Sequence, residues 1–118
     1  LLVLPNASNA QPRDPRYQEW GREVCARVQG DLTRAERDLR YLSEDEVRRF
    51  NGVRARVGEF DRKWERGRFD REDLDEAIGS LARLVERARL RPRDRDLLAD
   101  DLRRLRGMRE RFEHRDRR

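Results

Sequence analysis

The chain has 118 residues, of which 47% are charged and 35% hydrophobic, and it carries a net charge of +5. That length suffices for one domain with a core of its own, and no run approaches the ~20 apolar residues that a membrane-spanning helix needs. Cys25 is the only cysteine, which excludes an internal disulfide and a thiolate metal cluster.

Low hydrophobicity invites disorder, but the apolar residues recur at helical spacing and the charges nearly cancel. Residues 1–102 hold 22 basic against 22 acidic side chains, so the whole excess lies in residues 103–118, with eight arginines against three acids. Lys63 is the single lysine among 30 basic residues. Arginine forks suit bidentate pairing with carboxylates, and their even spread along the chain fits codon composition better than one binding patch.

The chain opens on Leu1-Leu2-Val3-Leu4-Pro5 and continues with small residues through Ser8-Asn9-Ala10. This reads as the tail of a secretory signal peptide cleaved after Ala10. Residues 1–14 are therefore expected to be leader remnant and linker, disordered or signal-derived, ahead of a helical domain over 15–113 and a charged tail over 114–118.

Four helices are expected. From Pro15 to Tyr41, the residues Tyr17, Trp20, Val24, Val28, Leu32, Ala35 and Leu39 form one amphipathic stripe. Gly21 and Gly30 weaken it by ~1 kcal/mol each relative to alanine. The spacing favours a continuous or kinked helix over a break at Gly30.

Ser43-Glu44-Asp45-Glu46 is a capping box, with Leu42 and Val47 placed for a hydrophobic staple. The second helix carries Phe50, Val53, Val57, Phe60 and Trp64, and Gly67 can end it. Asp70 caps the third, where Phe69 can staple to Leu74, and Leu74, Ile78, Leu81, Val85 and Ala88 make a heptad seam. Pro92 fits the first turn of the fourth, whose apolar face is Leu98, Leu102, Leu105, Met108 and Phe112, with Leu97 beside it. No alternating strand pattern competes.

Loops this short set neighbouring helices antiparallel. The last two helices both begin acidic and end basic, which complements each helix dipole and, in an antiparallel hairpin, puts acid opposite base. The fold class is thus all-α: four antiparallel helices joined by short loops, closed into a bundle or left as open hairpins. Asp101 falls inside the fourth helix's apolar arc, Arg54 and Asp61 flank the second's, and Arg109 flanks the fourth's. These residues are expected to form interhelical ion pairs at the core margin, because an unpaired buried charge is costly.

The chemistry-bearing patterns are sparse. His114 is the sole histidine; Glu110 lies four residues before it, and two ligands make no metal site. Carboxylate pairs such as Glu72/Glu76 and Asp96/Asp100 sit on charged faces without the burial that prepares a general acid. No phosphate loop, nucleophile elbow or Cys–His pairing occurs. The sequence therefore implies no cofactor, no metal and no enzyme.

Arg103, Arg104, Arg106, Arg109 and Arg111 are the candidate contact for an anionic partner, an acidic protein or an anionic membrane surface. They spread over the whole polar arc of the helix with no interleaved aromatic, which argues against nucleic acid.

Leu32-Thr33-Arg34-Ala35-Glu36 resembles the Leu-Thr-x-x-Gln signature of small periplasmic envelope-stress chaperones, with Glu36 in place of the glutamine. The resemblance covers five residues and occurs once. It implies a helical, basic, exported protein that holds unfolded clients, with Trp20 and Trp64 as candidate lining of the client surface. The expectation is a non-enzymatic protein, periplasmic or secreted, acting through protein–protein contacts as a structural or chaperone-like component. The alternative is a cytoplasmic nucleic-acid-associated protein using the arginine-rich C-terminal helix.

Overall fold

A computed structural model describes residues 14–116, with side chains through Phe112. All of the expected leader and linker over residues 1–14 except Asp14, and the side chains of the expected tail, lie outside the described residues. Four helices follow in order: α1 Pro15–Asp38, α2 Glu44–Glu65, α3 Arg71–Arg87 and α4 Pro92–Asp116. Among the described residues there is no strand.

Local chemistry sets each boundary. The Asp14 carboxylate accepts from the backbone N–H of Arg16 at 2.9 Å, ahead of Pro15 in the first turn. α1 passes Gly21 and Gly30 without a break but stops at Asp38, short of the expected Tyr41. Leu39 is extended, because the chain must straighten before the next helix cap. That cap is the Ser43–Glu46 box: the Ser43 hydroxyl accepts from Glu46 N at 3.1 Å, while the Glu46 carboxylate accepts from Ser43 N and Oγ.

α2 ends in a Schellman turn. Gly67 takes φ 78°, its N–H donates to Trp64 O, and Arg68 N–H donates to Lys63 O. Only glycine adopts that backbone freely. Asp70 then caps α3 by accepting from Asp73 N at 2.9 Å. Lys63 ties the two helices across this turn, 2.9 Å from Asp70 and 2.8 Å from Asp73.

The helices contact one another in a ring, α1 on α2, α2 on α3, α3 on α4 and α4 back on α1. Paired residues run in opposite senses along each seam. Gln18 meets Trp64 while Glu36 meets Arg54; Lys63 meets Asp73 while Arg56 meets Glu76; Arg109 meets Asp75 while Arg95 meets Val85. The result is a closed four-helix bundle measuring 46 × 27 × 20 Å.

The core follows the expected stripes on α1, α2 and α4. On α3 the stripe differs: Ala77 and Leu84 are buried, whereas Ile78 and Val85 are only partly so. A bundle helix clamped between two neighbours buries an arc wider than a two-position heptad seam, and the arc here has rotated by one residue.

Six aromatic residues gather at one end, where α1 and α3 begin and α2 and α4 finish. Phe112 lies 5.4 Å from Tyr17, 5.2 Å from Trp64 and 5.3 Å from Phe69, centroid to centroid. Gly21 makes that packing fit. A Cβ there would stand 2.2 Å from the Trp64 indole nitrogen. The indole lies flush on α1 and donates to Gln18 O at 2.9 Å, and Gln18 Nε2 returns a bond to Trp64 O at 2.6 Å.

Candidate functional site

The core-margin residues occupy three different environments. Arg54 reaches from α2 to Glu36 on α1 at 2.7 Å, with both side chains about three-quarters covered. Arg109 crosses from α4 to Asp75 on α3. Asp61 has no cation in an ion pair and instead accepts a hydrogen bond from the Cys25 thiol on α1. Burial raises the Asp61 carboxyl, with Glu65 adding to the effect. Burial, reinforced by Asp61, also pushes the Cys25 thiol far above its ordinary range. Cys25 is thus a buried, protonated donor rather than a nucleophile.

Asp101 is fully buried, and here the expected interhelical ion pair is replaced by something else. Its cation, Arg104 at 3.1 Å, comes from its own helix. Across the seam it faces another acid, Asp31 of α1. Burial, then the hydrogen bond and charge of Asp31, push the Asp101 carboxyl up to about 8, with Arg104 and Arg27 opposing.

Two turns along each helix the arrangement recurs. Asp94, 2% exposed, hydrogen-bonds Asp38, and burial followed by that contact raises its carboxyl, with Arg34 and Arg93 opposing. In each pair burial and the facing α1 acid favour the protonated form of the α4 aspartate, because two ionised carboxylates in a poorly solvated seam repel. Lone carboxylate counting in the sequence misses this. The readable signal is a matched seven-residue spacing, Asp31/Asp38 against Asp94/Asp101, on two adjacent antiparallel stripes.

The C-terminal arginines proposed for an anionic partner are largely engaged. Arg103 pairs with Asp100, Arg104 with Asp101 and Arg109 with Asp75. The Arg111 guanidinium lies 5.8 Å from the Trp20 ring centroid. Arg106 is exposed. Three of these five arginines thus pair with an acid.

A basic surface forms at the opposite end instead. The α4 acids Asp94 and Asp101 turn towards α1, so they do not meet the basic C-terminus of α3. Arg95 caps that terminus by donating to Val85 O and Ala88 O, and Arg91 donates to Asp38 O at 2.9 Å. What remains is a cleft of about 410 Å³ lined by Arg40, Tyr41, Arg49, Arg87 and Arg89 around Glu46.

Glu46 builds this cleft. One carboxylate oxygen holds Ser43 and the other accepts from Arg89 N at 3.2 Å, so the α1–α2 and α3–α4 turns are fastened together. Burial works against the charged form, but the backbone N–H groups of Arg89 and Ser43 outweigh it and hold the carboxyl below its ordinary value. Asp45, also in the lining, pairs with Arg48 at 2.7 Å. The guanidinium groups of Arg40, Arg49, Arg87 and Arg89 make no ion pair with a described carboxylate.

Among the described residues, no three His, Cys, Asp or Glu side chains converge to hold a metal ion, and no helix is long and apolar enough to cross a membrane. The chain is an all-α four-helix bundle, and that is the class its fold defines. No protein-family model matches it, and no curated protein or solved structure matches it at a significant level.

Proposed function

We propose that this is a non-enzymatic helical protein, exported from its cell, that acts through protein–protein contact at the end of the bundle carrying the α1–α2 turn. One observation carries the reading. The exposed large hydrophobic side chains among the described residues are Tyr41, 78% exposed, and Leu42, 39% exposed, adjacent on that turn. Tyrosine and arginine are the residue types that anchor protein interfaces, and the arginine-lined cleft adjoins them.

The buried, protonated Cys25 and the sealed carboxyl pairs favour a binding role over catalysis. A structural or adaptor role fits this surface better than a client-holding cradle. Trp20 and Trp64, which such a cradle would expose, are in the core.

Site-specific photocrosslinking in the host tests the contact. A benzoylphenylalanine at position 41 is expected to give one recurrent protein adduct that the same label at position 106 does not. Equal adducts at both positions, or none at 41, would sink the reading. For export, sequencing the N-terminus of the protein isolated from its host is decisive: a start at Gln11 supports cleavage after Ala10, and an intact Leu1 segment overturns it.

A further inference from the structure

Resting on that contact reading, we infer that the cleft between the α1–α2 and α3–α4 turns binds an acidic protein segment, whose carboxylates pair with Arg40, Arg49, Arg87 and Arg89 while an apolar side chain packs on Tyr41 and Leu42. The four arginines come from three places in the sequence: the α1–α2 turn, α2 itself, and the end of α3 with its following loop. Folding gathers like charges here, against their mutual repulsion. Some arginines on the helix seams find a carboxylate, as Arg54 does in Glu36, Arg56 in Glu76 and Arg109 in Asp75, and these four do not.

The two acids that line the cleft cannot neutralise it. Glu46 accepts from backbone N–H groups on both turns and offsets the charge of Arg89 alone, and Asp45 pairs with Arg48. The cleft therefore presents more guanidinium forks than carboxylates, and such forks recognise planar acid groups bidentately. It is also held in place before any ligand arrives. The Glu46 clamp, the Arg91–Asp38 bond and the Arg95 cap fasten the surrounding backbone, which lowers the ordering cost of binding.

Protein is favoured over nucleic acid by shape and by composition. Single-stranded nucleic acid needs a basic groove that tracks a backbone, with several aromatics for successive bases. Here the cleft is short, at about 410 Å³, it has one aromatic, Tyr41, and it contains two carboxylates that would repel a phosphate chain.

The test uses the full chain and a fluorescein-labelled short peptide of glutamates interrupted by leucine, read by fluorescence anisotropy against rising salt. The expected result is saturable binding that weakens as salt screens the contact. Binding should fall about tenfold or more in an Arg49→Gln/Arg87→Gln double variant and remain unchanged in an Arg103→Gln/Arg106→Gln control at the other end. Circular dichroism confirms that both variants stay helical, and Tyr41→Ala, on an exposed turn, supplies a second variant with no folding burden.

The inference is overturned if the wild type does not bind the peptide at low salt, if the control pair loses as much affinity as the cleft pair, or if an oligothymidylate displaces the peptide more effectively than unlabelled peptide does. Should the peptide fail while adducts at position 41 persist, the contact reading survives and only the partner's chemistry is wrong. Peptide binding without such adducts would support the cleft and overturn the contact reading.

Discussion

At the end of the bundle where α1 and α3 begin, six aromatic rings (Tyr17, Trp20, Phe60, Trp64, Phe69 and Phe112) meet one another and, among the described residues, leave no large apolar side chain exposed. At the end where α2 and α4 begin, the turns are fastened by Glu46, Arg91 and Arg95, while Tyr41, Leu42 and the cleft arginines lie at the surface. The carboxylates separate in the same way. Asp75, near the aromatic end, faces Arg109 across its seam, whereas Asp101 and Asp94, further along α4, face acids. One end concentrates packing; the other holds electrostatic tension and exposed recognition groups. The difference shows that a uniformly charged sequence need not give a uniformly charged surface, because which acids turn inward decides which arginines are left over.

If the aromatic end carries most of the packing energy, truncating its centre should hurt most. Phe112→Ala removes a fully buried ring touching Tyr17, Trp64 and Phe69; a loss of about 3–5 kcal/mol is expected in denaturant unfolding. A loss below ~1 kcal/mol would mean that the two ends are energetically alike.

Gly21→Ala is next. Its methyl would have to displace the Trp64 indole, which is packed on both sides, so a loss of about 3 kcal/mol, the upper part of the overpacking range, is expected. Quenching or a shift of tryptophan emission should accompany it.

Asp101→Asn probes the opposite kind of energetics. The folded carboxyl is pushed up to about 8, above the ~3.9 of an unfolded aspartate. The native state therefore holds its proton to higher pH than the unfolded chain does. Its stabilising contribution is full below the unfolded value, declines as pH rises from there, and is gone above about 8. Asparagine still donates to Asp31 but has no charge to bury. The variant is expected to be more stable than wild type at pH 8, and the difference should vanish by pH 4. An identical pH profile for both proteins would show that Asp101 is not proton-linked to folding.

The smallest effect compares two glycines of one helix. At Gly30 an added Cβ meets nothing within 4 Å, so Gly30→Ala should stabilise by about 1 kcal/mol, opposite in sign to Gly21→Ala. Thermal unfolding of the two variants side by side reads this directly.

Most of the architecture was legible locally. The Ser43–Glu46 box, the Asp70 cap, Pro92 in its first turn and Gly67 at a helix end each act within a few residues, so sequence spacing suffices to find them. The end of α1 at Asp38 was not, because the straightening before Ser43 competes with a stripe that runs on to Leu39. The α3 arc was also displaced, since two neighbours rather than one define its buried side. For the candidate site, the arginines looked most concentrated in residues 103–118, yet Arg103, Arg104 and Arg109 each have an acid partner. The cleft arginines lie far apart in the chain and become a cluster only when two turns are fastened together.

The amino-acid sequence by itself determined the number of helices, their caps and the residues that seal the core, because hydrogen bonding at helix ends and the 3.6-residue period are short-range. Only the tertiary structure decided which charges confront which. That depends on helix rotation and on the register across each seam, and it is there that Asp101 meets Asp31, Gly21 admits Trp64, and four arginines gather around Glu46.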